Sequence, residues 1–333
     1  MARMRSLLLE QPIIFVLIAL IAAFAVFADG FADASNISNV LRQTSMLGIV
    51  AIGMSIVVLT GGIDLSVGSV VALSTVLVAG LANSYPPIIG INVALVAGAL
   101  IGFANGVLIA GLGLQPIIVT VSSMAMVRGL AMWISESRPI FGTLPKDLFL
   151  LFDGRFLGIP LPVFIFAALA LCAMFFLGNT RTGRAIYEVG GNEEAASLAG
   201  IRVGATKVVA YTLCGFLASI AGIVLTARMQ SGDGVRTGMG WELDAIAAVA
   251  VGGISLAGGR GHLIGAICGV LIIGLLANAF NLMGINPYWQ RIVVGLVLAG
   301  AVIAYNERLR AWFSRARITA APTPELPRAD RAG

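Results

Sequence analysis

Asp64, Arg128, Glu242 and Asp244 are ionisable side chains set in otherwise apolar sequence: LTGGIDLSVGS, SSMAMVRGLAMW and GWELDAI. An ionisable group inside a lipid-embedded run costs a few kcal/mol unless it is paired or wetted. Asp64, with Ser66 two residues on, has two readings. It could act as a gate or solute contact, or its carboxylate could cap a helix starting near Leu65 or bond the exposed backbone of the glycine break. A mid-span arginine faces protein interior or a water-filled path, so Arg128 needs partners; Asp64 and Asp244 could supply them. Glu242 and Asp244 are spaced i, i+2 and share no helix face, which suits helix-start charges better than a paired acid and base. Asn278 belongs with Thr44, Ser45, Asn105, Thr120, Ser122, Ser123 and Asn281. These could line a conduit for a hydroxylated solute or serve as hydrogen-bonding groups between helices.

Several chemistries find no residues to perform them. Cys172, Cys214 and Cys268 each lie in an apolar run without CxxC or Cys/His spacing, as small buried hydrophobes do. His262 stands alone after a glycine-rich turn, so neither a nucleophile triad nor a histidine metal site can be assembled. HExxH is absent, and neither Lys146 nor Lys207 follows a glycine, so GxxxxGK[ST] cannot occur. The chain has no P-loop of its own. Transport driven by ATP would need its engine on another polypeptide.

The elements that must position these residues are written in the composition. Of 333 residues 59% are hydrophobic and 11% charged, and mean hydropathy is +0.98. Soluble domains carry roughly 25% charged residues, so lipid is the main solvent of this chain. A spanning helix needs about 20 apolar residues with every backbone group bonded internally. Runs of that kind at 12–28, 44–60, 65–83, 88–111, 116–134, 161–178, 207–228, 241–257, 262–283 and 289–305 predict an all-α polytopic membrane protein. About ten helices are transmembrane or re-entrant. The 241–257 run opens on Glu242 and Asp244 and could be a re-entrant half-helix. The first run follows Arg3 and Arg5. A signal peptide cleaved near Ala23-Phe24-Ala25 is the competing reading, but the run exceeds the usual signal core of roughly 7–15 residues. An uncleaved first span is expected, and the 41 glycines suit close helix packing and broken helices.

Ten crossings place both termini in the cytoplasm. The basic residues agree: Arg3, Arg5, Arg181, Arg184, Arg202, Lys207, Arg260, Arg308, Arg310, Arg315, Arg317, Arg328 and Arg331 fall on the predicted inner side. The outer side holds fewer: Arg42, Arg138, Lys146, Arg155, Arg228, Arg236 and Arg291. The outer segment Glu136–Pro160 is rich in Pro, Gly and aromatics and is large enough to form a lip. Residues 1–317 read as one membrane domain and 318–333, rich in Pro and Ala, as a disordered tail.

Between two strongly apolar runs lies one long polar stretch, residues 181–207, on the inner side. Its middle predicts a short surface helix. Asn192 suits the N-cap, Glu193 and Glu194 the positive end of the dipole, and Gly200 the left-handed stop. Ala195, Ala196, Leu198 and Ala199 give that helix too little apolar surface for a core of its own. It is either an element that docks in another protein's groove or an ordinary solvated loop. Elsewhere GGIDLSVG (61–68) is partly echoed by GGISLAGG (252–259). The ten-span count puts both copies on the same side of the membrane, which an inverted repeat would not do.

The motifs GGIDLSVGS (61–69), GRAIYEVGGNEEAASLAGI (183–201), GWELDAIAAVAVGGISLAGGRG (240–261) and LLANAFNLMGINPYWQRIVVGLVL (275–298) occur together and in order. In them the chain resembles the ribose/xylose-type sugar ABC transporter permeases over nearly its whole length. The resemblance implies a homodimeric, non-catalytic translocation subunit in the bacterial inner membrane. It implies a cytoplasmic ABC ATPase that carries the ATP and Mg, a periplasmic solute-binding protein, and no nucleic acid. It makes Gly190, Gly191, Asn192, Glu193, Glu194, Ala195, Leu198 and Gly200 the segment coupled to the ATPase. It leaves Asp64, Ser66, Arg128, Glu242, Asp244 and Asn278 as pathway candidates. The implied cargo is a pentose, hexose or polyol. Branched-chain amino acid and nucleoside permeases are the nearest rivals, and an ion-coupled transporter using Asp64 or Glu242 as proton carrier is the rival from another class.

Overall fold

A computed structural model describes residues 12–141 and 154–305. The tail at 318–333, the basic residues before 12 and after 305, and the middle of the predicted outer lip lie outside the described residues. The first half of the chain forms α1 (Pro12–Phe27), α2 (Ala34–Leu59), α3 (Val67–Ala82), α4 (Pro87–Gly111) and α5 (Pro116–Ile134). The short strands β1 (Ile140–Phe141), β2 (Arg155–Phe156) and β3 (Ile159–Pro160) follow, then α6 (Leu161–Asn179), α7 (Arg181–Gly191) and α8 (Glu193–Leu198). The second half adds α9 (Val203–Met229), β4 (Ser231–Gly232), α10 (Trp241–Val251), α11 (Leu263–Leu282) and α12 (Pro287–Tyr305). Six of the described helices, α2, α4, α5, α6, α9 and α11, are long and apolar enough to cross a membrane.

α2 is the axis of the bundle. Every residue from Gly48 to Thr60 is buried, because α6, α9, α10 and α11 all pack around it. Lipid offers no hydrophobic drive between helices, so close approach comes from small residues. α4 carries Gly98, Gly102 and Gly106 at four-residue spacing, one glycine per turn on one face. A Cβ at any of them would strike α9 backbone at Gly215, Tyr211 or Val208. The same device seats α2 on α9, where a Cβ at Gly53 would lie 2.9 Å from Cys214 Cα.

Four expectations need correction. Cys172, expected as a buried hydrophobe, is exposed on α6. α2 starts at Ala34, ten residues before the apolar run, since the polar turns 34–43 are helical too and Asn36 is bonded back to α11. The 241–257 run is helical only to Val251 and then turns at Gly252 and Gly253, so α10 has 11 residues. The polar 181–207 stretch holds two helices, with α7 preceding the expected one. Thr180 Oγ1 caps α7 by accepting from Gly183 N at 2.9 Å, and Gly183, Ile186 and Val189 form its buried face.

Residues 231–240 run as irregular backbone between α3 and α5. β4 pairs antiparallel with β1, Ile140 opposite Gly232 and Phe141 opposite Ser231. Beyond it, a Cβ at Gly234 would sit 2.6 Å from Ala131 O of α5, and one at Gly238 would meet Gly68 O of α3. Irregular backbone among membrane helices persists only where protein or trapped water satisfies it.

Candidate functional site

The helix around Glu193 is built as its residue types require. Asn192 Oδ1 accepts from Ala195 N at 2.9 Å, and Glu193 and Glu194 fill the first turn. Gly200 takes φ +82°, and Ile201 N closes the end on Ala196 O at 3.0 Å. Ala196 faces inward while Leu198 is 86% exposed. Lys207 Nζ at the start of α9 donates to Glu193 Oε2 at 2.6 Å, tying α8 to the bundle.

α2 and α10 end alike. Gly61 at φ +80° and Gly253 at φ +85° are the left-handed residues, and the next amides, Gly62 N and Ile254 N, reach back five residues to Val57 O and Val249 O. The two echoed motifs therefore share helix-stop geometry, offset by one residue from their sequence alignment. The copies also stand side by side, on the same end of the bundle: Gly259 N donates to Leu59 O at 3.0 Å. Gly190, at the end of α7, lies in the same junction. A cavity of about 380 Å³ opens beside it, lined by Thr60, Gly61, Gly62, Asn192, Lys207 and Tyr211 among others.

Asp64 lies in the turn between α2 and α3 and is 1% exposed. Its Oδ1 accepts from Ser66 N at 2.9 Å and from Ser66 Oγ at 2.6 Å, and the Cys214 thiol acts on it electrostatically. Burial pushes the carboxyl above its ordinary value, and the bonds from Ser66 offset only part of that rise. Asn105 Nδ2 of α4 donates to Ser66 Oγ at 3.1 Å, and Tyr211 of α9 donates to Ile63 O at 3.3 Å. The carboxylate thus holds the turn together, whereas α3 begins at Val67 with no side-chain cap.

Arg128 pairs with neither Asp64 nor Asp244. Its Nη1 donates to Thr237 O at 2.7 Å and Gly234 O at 3.2 Å, and the acids acting on it are Glu242 and Asp233. It satisfies carbonyls of the irregular 231–240 pass, and backbone partners of this kind leave no mark in sequence. Asp233 helps from within, its Oδ1 accepting from Val235 N at 2.7 Å and Arg236 N at 3.0 Å. Glu242 Oε2 lies where a Cβ on Gly68 would fall, 2.5 Å away, and Asp244 feels Arg291 of α12 as its leading charge. Arg291 had stood in the sequence only as an outer-side cation. Asn278 is elsewhere: it and Asn36 exchange amide hydrogen bonds at 2.7 and 3.0 Å, joining α11 to the start of α2. Among the described residues no group of three or more His, Cys, Asp or Glu could hold a metal ion.

Comparison with known proteins decides what this arrangement belongs to. The family "Branched-chain amino acid transport system / permease component" matches residues 36–302. The chain belongs to this family. It is a multi-pass membrane permease, and the match covers every element from α2 almost to the end of α12. Its relatives include the ribose import permease of Escherichia coli strain K12, 42% identical over 91% of this chain and 96% of that protein. The ribose import permease of Haemophilus influenzae is 43% identical over 90% and 94%. The L-arabinose transport system permease of E. coli K12 is 39% identical over 88% and 89%. No solved structure matches the chain.

Proposed function

We propose that this permease is the membrane subunit of an ATP-binding-cassette importer that carries a monosaccharide across the bacterial inner membrane. One observation carries the reading: nearly end-to-end similarity, at 42% identity, to a protein named for ribose import. The family description names branched-chain amino acids. The relatives quoted above name ribose and arabinose, and likeness over whole chains weighs more than a broad family label.

The subunit works as a dimer of identical chains. A separate ATPase holds ATP and Mg, and a solute-binding protein delivers the sugar to the outer face. Ten crossings are counted, α1 to α6 and α9 to α12, with both termini inside. α10 spans only the inner half of its crossing: its 11 residues at 1.5 Å each reach about 16 Å, half of a core roughly 30 Å thick. The irregular 231–240 pass supplies the other half. α8 then faces the cytoplasm, presenting Glu194 and exposed Leu198 to a groove on the ATPase. Asp64, Ser66, Arg128, Glu242 and Asp244 stand around the pathway: Asp64 and Arg128 hold the backbone that frames it, and Glu242 and Asp244 stand at the start of α10. The chain itself performs no covalent step.

The test is reconstitution with the co-expressed ATPase and binding protein in liposomes. Labelled ribose or arabinose should enter on ATP addition and leucine should not; uptake of leucine alone overturns the sugar assignment. Glu194→Lys with Leu198→Asp should abolish uptake while ATP hydrolysis continues, and undiminished uptake removes α8 from the coupling role. Protease cleavage within α8 from outside intact cells would overturn the orientation.

A further inference from the structure

The end of α7 touches both helix breaks at once, and it does so through backbone alone. A Cβ at Gly190 would collide with Leu59 O at the end of α2 and would lie 2.6 Å from Gly259 N, beyond the end of α10. A Cβ at Gly258 would lie 2.7 Å from Gly61 N and 2.8 Å from Gly190 O. One at Gly259 would lie 2.6 Å from Gly191 N and Cα. The hydrogen bond from Gly259 N to Leu59 O closes the triangle. Three segments separated by more than sixty residues in sequence thus meet with no side chain between them. The cavity beside the joint is lined by Asn192 and Glu193 at the start of α8 and by Thr60, Gly61 and Gly62 at the first break.

We propose that Gly190, Gly258 and Gly259 form a transmission joint that passes displacement of α8 to both breaks together. This rests on the coupling role assigned to α8 above. Packed backbone has no rotamers with which to absorb a shift. Motion of α7 and α8 is therefore delivered to the Gly61 turn, which carries Asp64, and to the Gly253 turn, which carries α10. α10 in turn bears Glu242 and Asp244 at its far end. The glycines are positioning residues: they touch no solute and act through the turns they grip.

The complete importer, reconstituted with its co-expressed partners, tests this in two ways. Gly190→Ala and Gly258→Ala each pry the joint apart and should lower ribose taken up per ATP hydrolysed by about tenfold. Gly178→Ala, at the same end of the bundle with nothing within 4 Å of its Cβ, should leave that ratio at the wild-type value. A wild-type ratio in both joint variants overturns the proposal. The second arm needs no solute and no joint variant. Spin labels on Ser197→Cys and Ala257→Cys, both exposed positions, in a Cys172→Ala background, report the distance from α8 to the second break. On trapping with ATP and vanadate that distance should hold within about 2 Å, while Ser197 moves relative to a label on exposed Tyr85 at the α3–α4 turn. A change of about 5 Å or more between Ser197 and Ala257, or no movement relative to Tyr85, overturns the joint. If the wild-type complex imports no ribose or arabinose, the sugar reading falls, and the label distances still decide the joint.

Discussion

The breaks after α2 and after α10 are two solutions to one problem, stopping a helix inside a bundle without orphaning its carbonyls. Both use a left-handed glycine and a five-residue backbone return. Both then use a side-chain oxygen to fix the turn two residues on: Asp64 Oδ1 takes Ser66 N at 2.9 Å, and Ser255 Oγ takes Ala257 N at 3.3 Å. The first turn is buried under α4 and α9 and employs a carboxylate with two donors. The second is more open and employs a hydroxyl with one long bond, while Ser255 N to Arg260 O at 2.9 Å and Gly258 N to Ser255 O at 3.0 Å hold the loop. The glycines therefore belong to the shared stop, and the acid belongs to burial. The helices that enter the breaks differ as well. α2 is continuous over 26 residues, whereas α10 has 11 and leans on a backbone pass pinned by Arg128.

The largest effect is expected where α10 depends on that pin. Arg128→Met leaves Thr237 O and Gly234 O without their donor and strips the cation from Glu242 and Asp233. Each orphaned carbonyl costs roughly 1–3 kcal/mol, so a loss of about 3 kcal/mol is expected in SDS titration of the purified protein. A loss under about 1 kcal/mol would mean water reaches the pass and the two helices are supported more equally than their geometry suggests.

Asp64→Ala comes next, at about 2 kcal/mol in the same titration, since it orphans Ser66 N and Ser66 Oγ in a buried turn. Asp64→Asn should lose less, because its amide oxygen still accepts from Ser66 N. Equal losses would show that the charge, and not the acceptor, secures the first break. Gly61→Ala should cost about 1–2 kcal/mol, the conformational penalty of a left-handed alanine. Its Cβ would meet only Ala257 O, at an ordinary 3.5 Å, so crowding adds little. A neutral result would show that the turn relaxes out of the left-handed region.

Much of this was legible in sequence because the cause was local. The apolar runs placed the long apolar helices, and Asn192 with Gly200 placed both ends of α8 from residue type alone. α7 escaped because Ile186 and Val189 give a thin apolar stripe inside a polar stretch. The start of α2 escaped because residues 34–43 are polar and their helix is secured by a distant partner, Asn278. The echo of GGIDLSVG in GGISLAGG was visible, but its register was not: identical glycine pairs invite the alignment of Gly61 with Gly252, while backbone returns match Gly61 to Gly253. The partners of Arg128 and the contact of Gly190 with Gly258 are backbone atoms far off in sequence, and composition carries no trace of them.

The smallest effect falls on the second break and isolates what the first one needs. Ser255→Ala removes one bond of 3.3 Å at a partly exposed turn whose backbone is held by two others, so stability should fall by no more than about 0.5 kcal/mol. Ser255→Asp should be comparably mild, since Ala257 N stays in place as a donor and solvent reaches the new charge. The reverse exchange, Asp64→Ser, should cost more than either. A serine at 64 supplies one shorter acceptor to a buried site where Ser66 offers two donors. If Asp64→Ser and Ser255→Asp shift the SDS midpoint equally, the turns are interchangeable and burial does not select the acid. If only Asp64→Ser does, the aspartate is there because two donors converge on it in a buried turn.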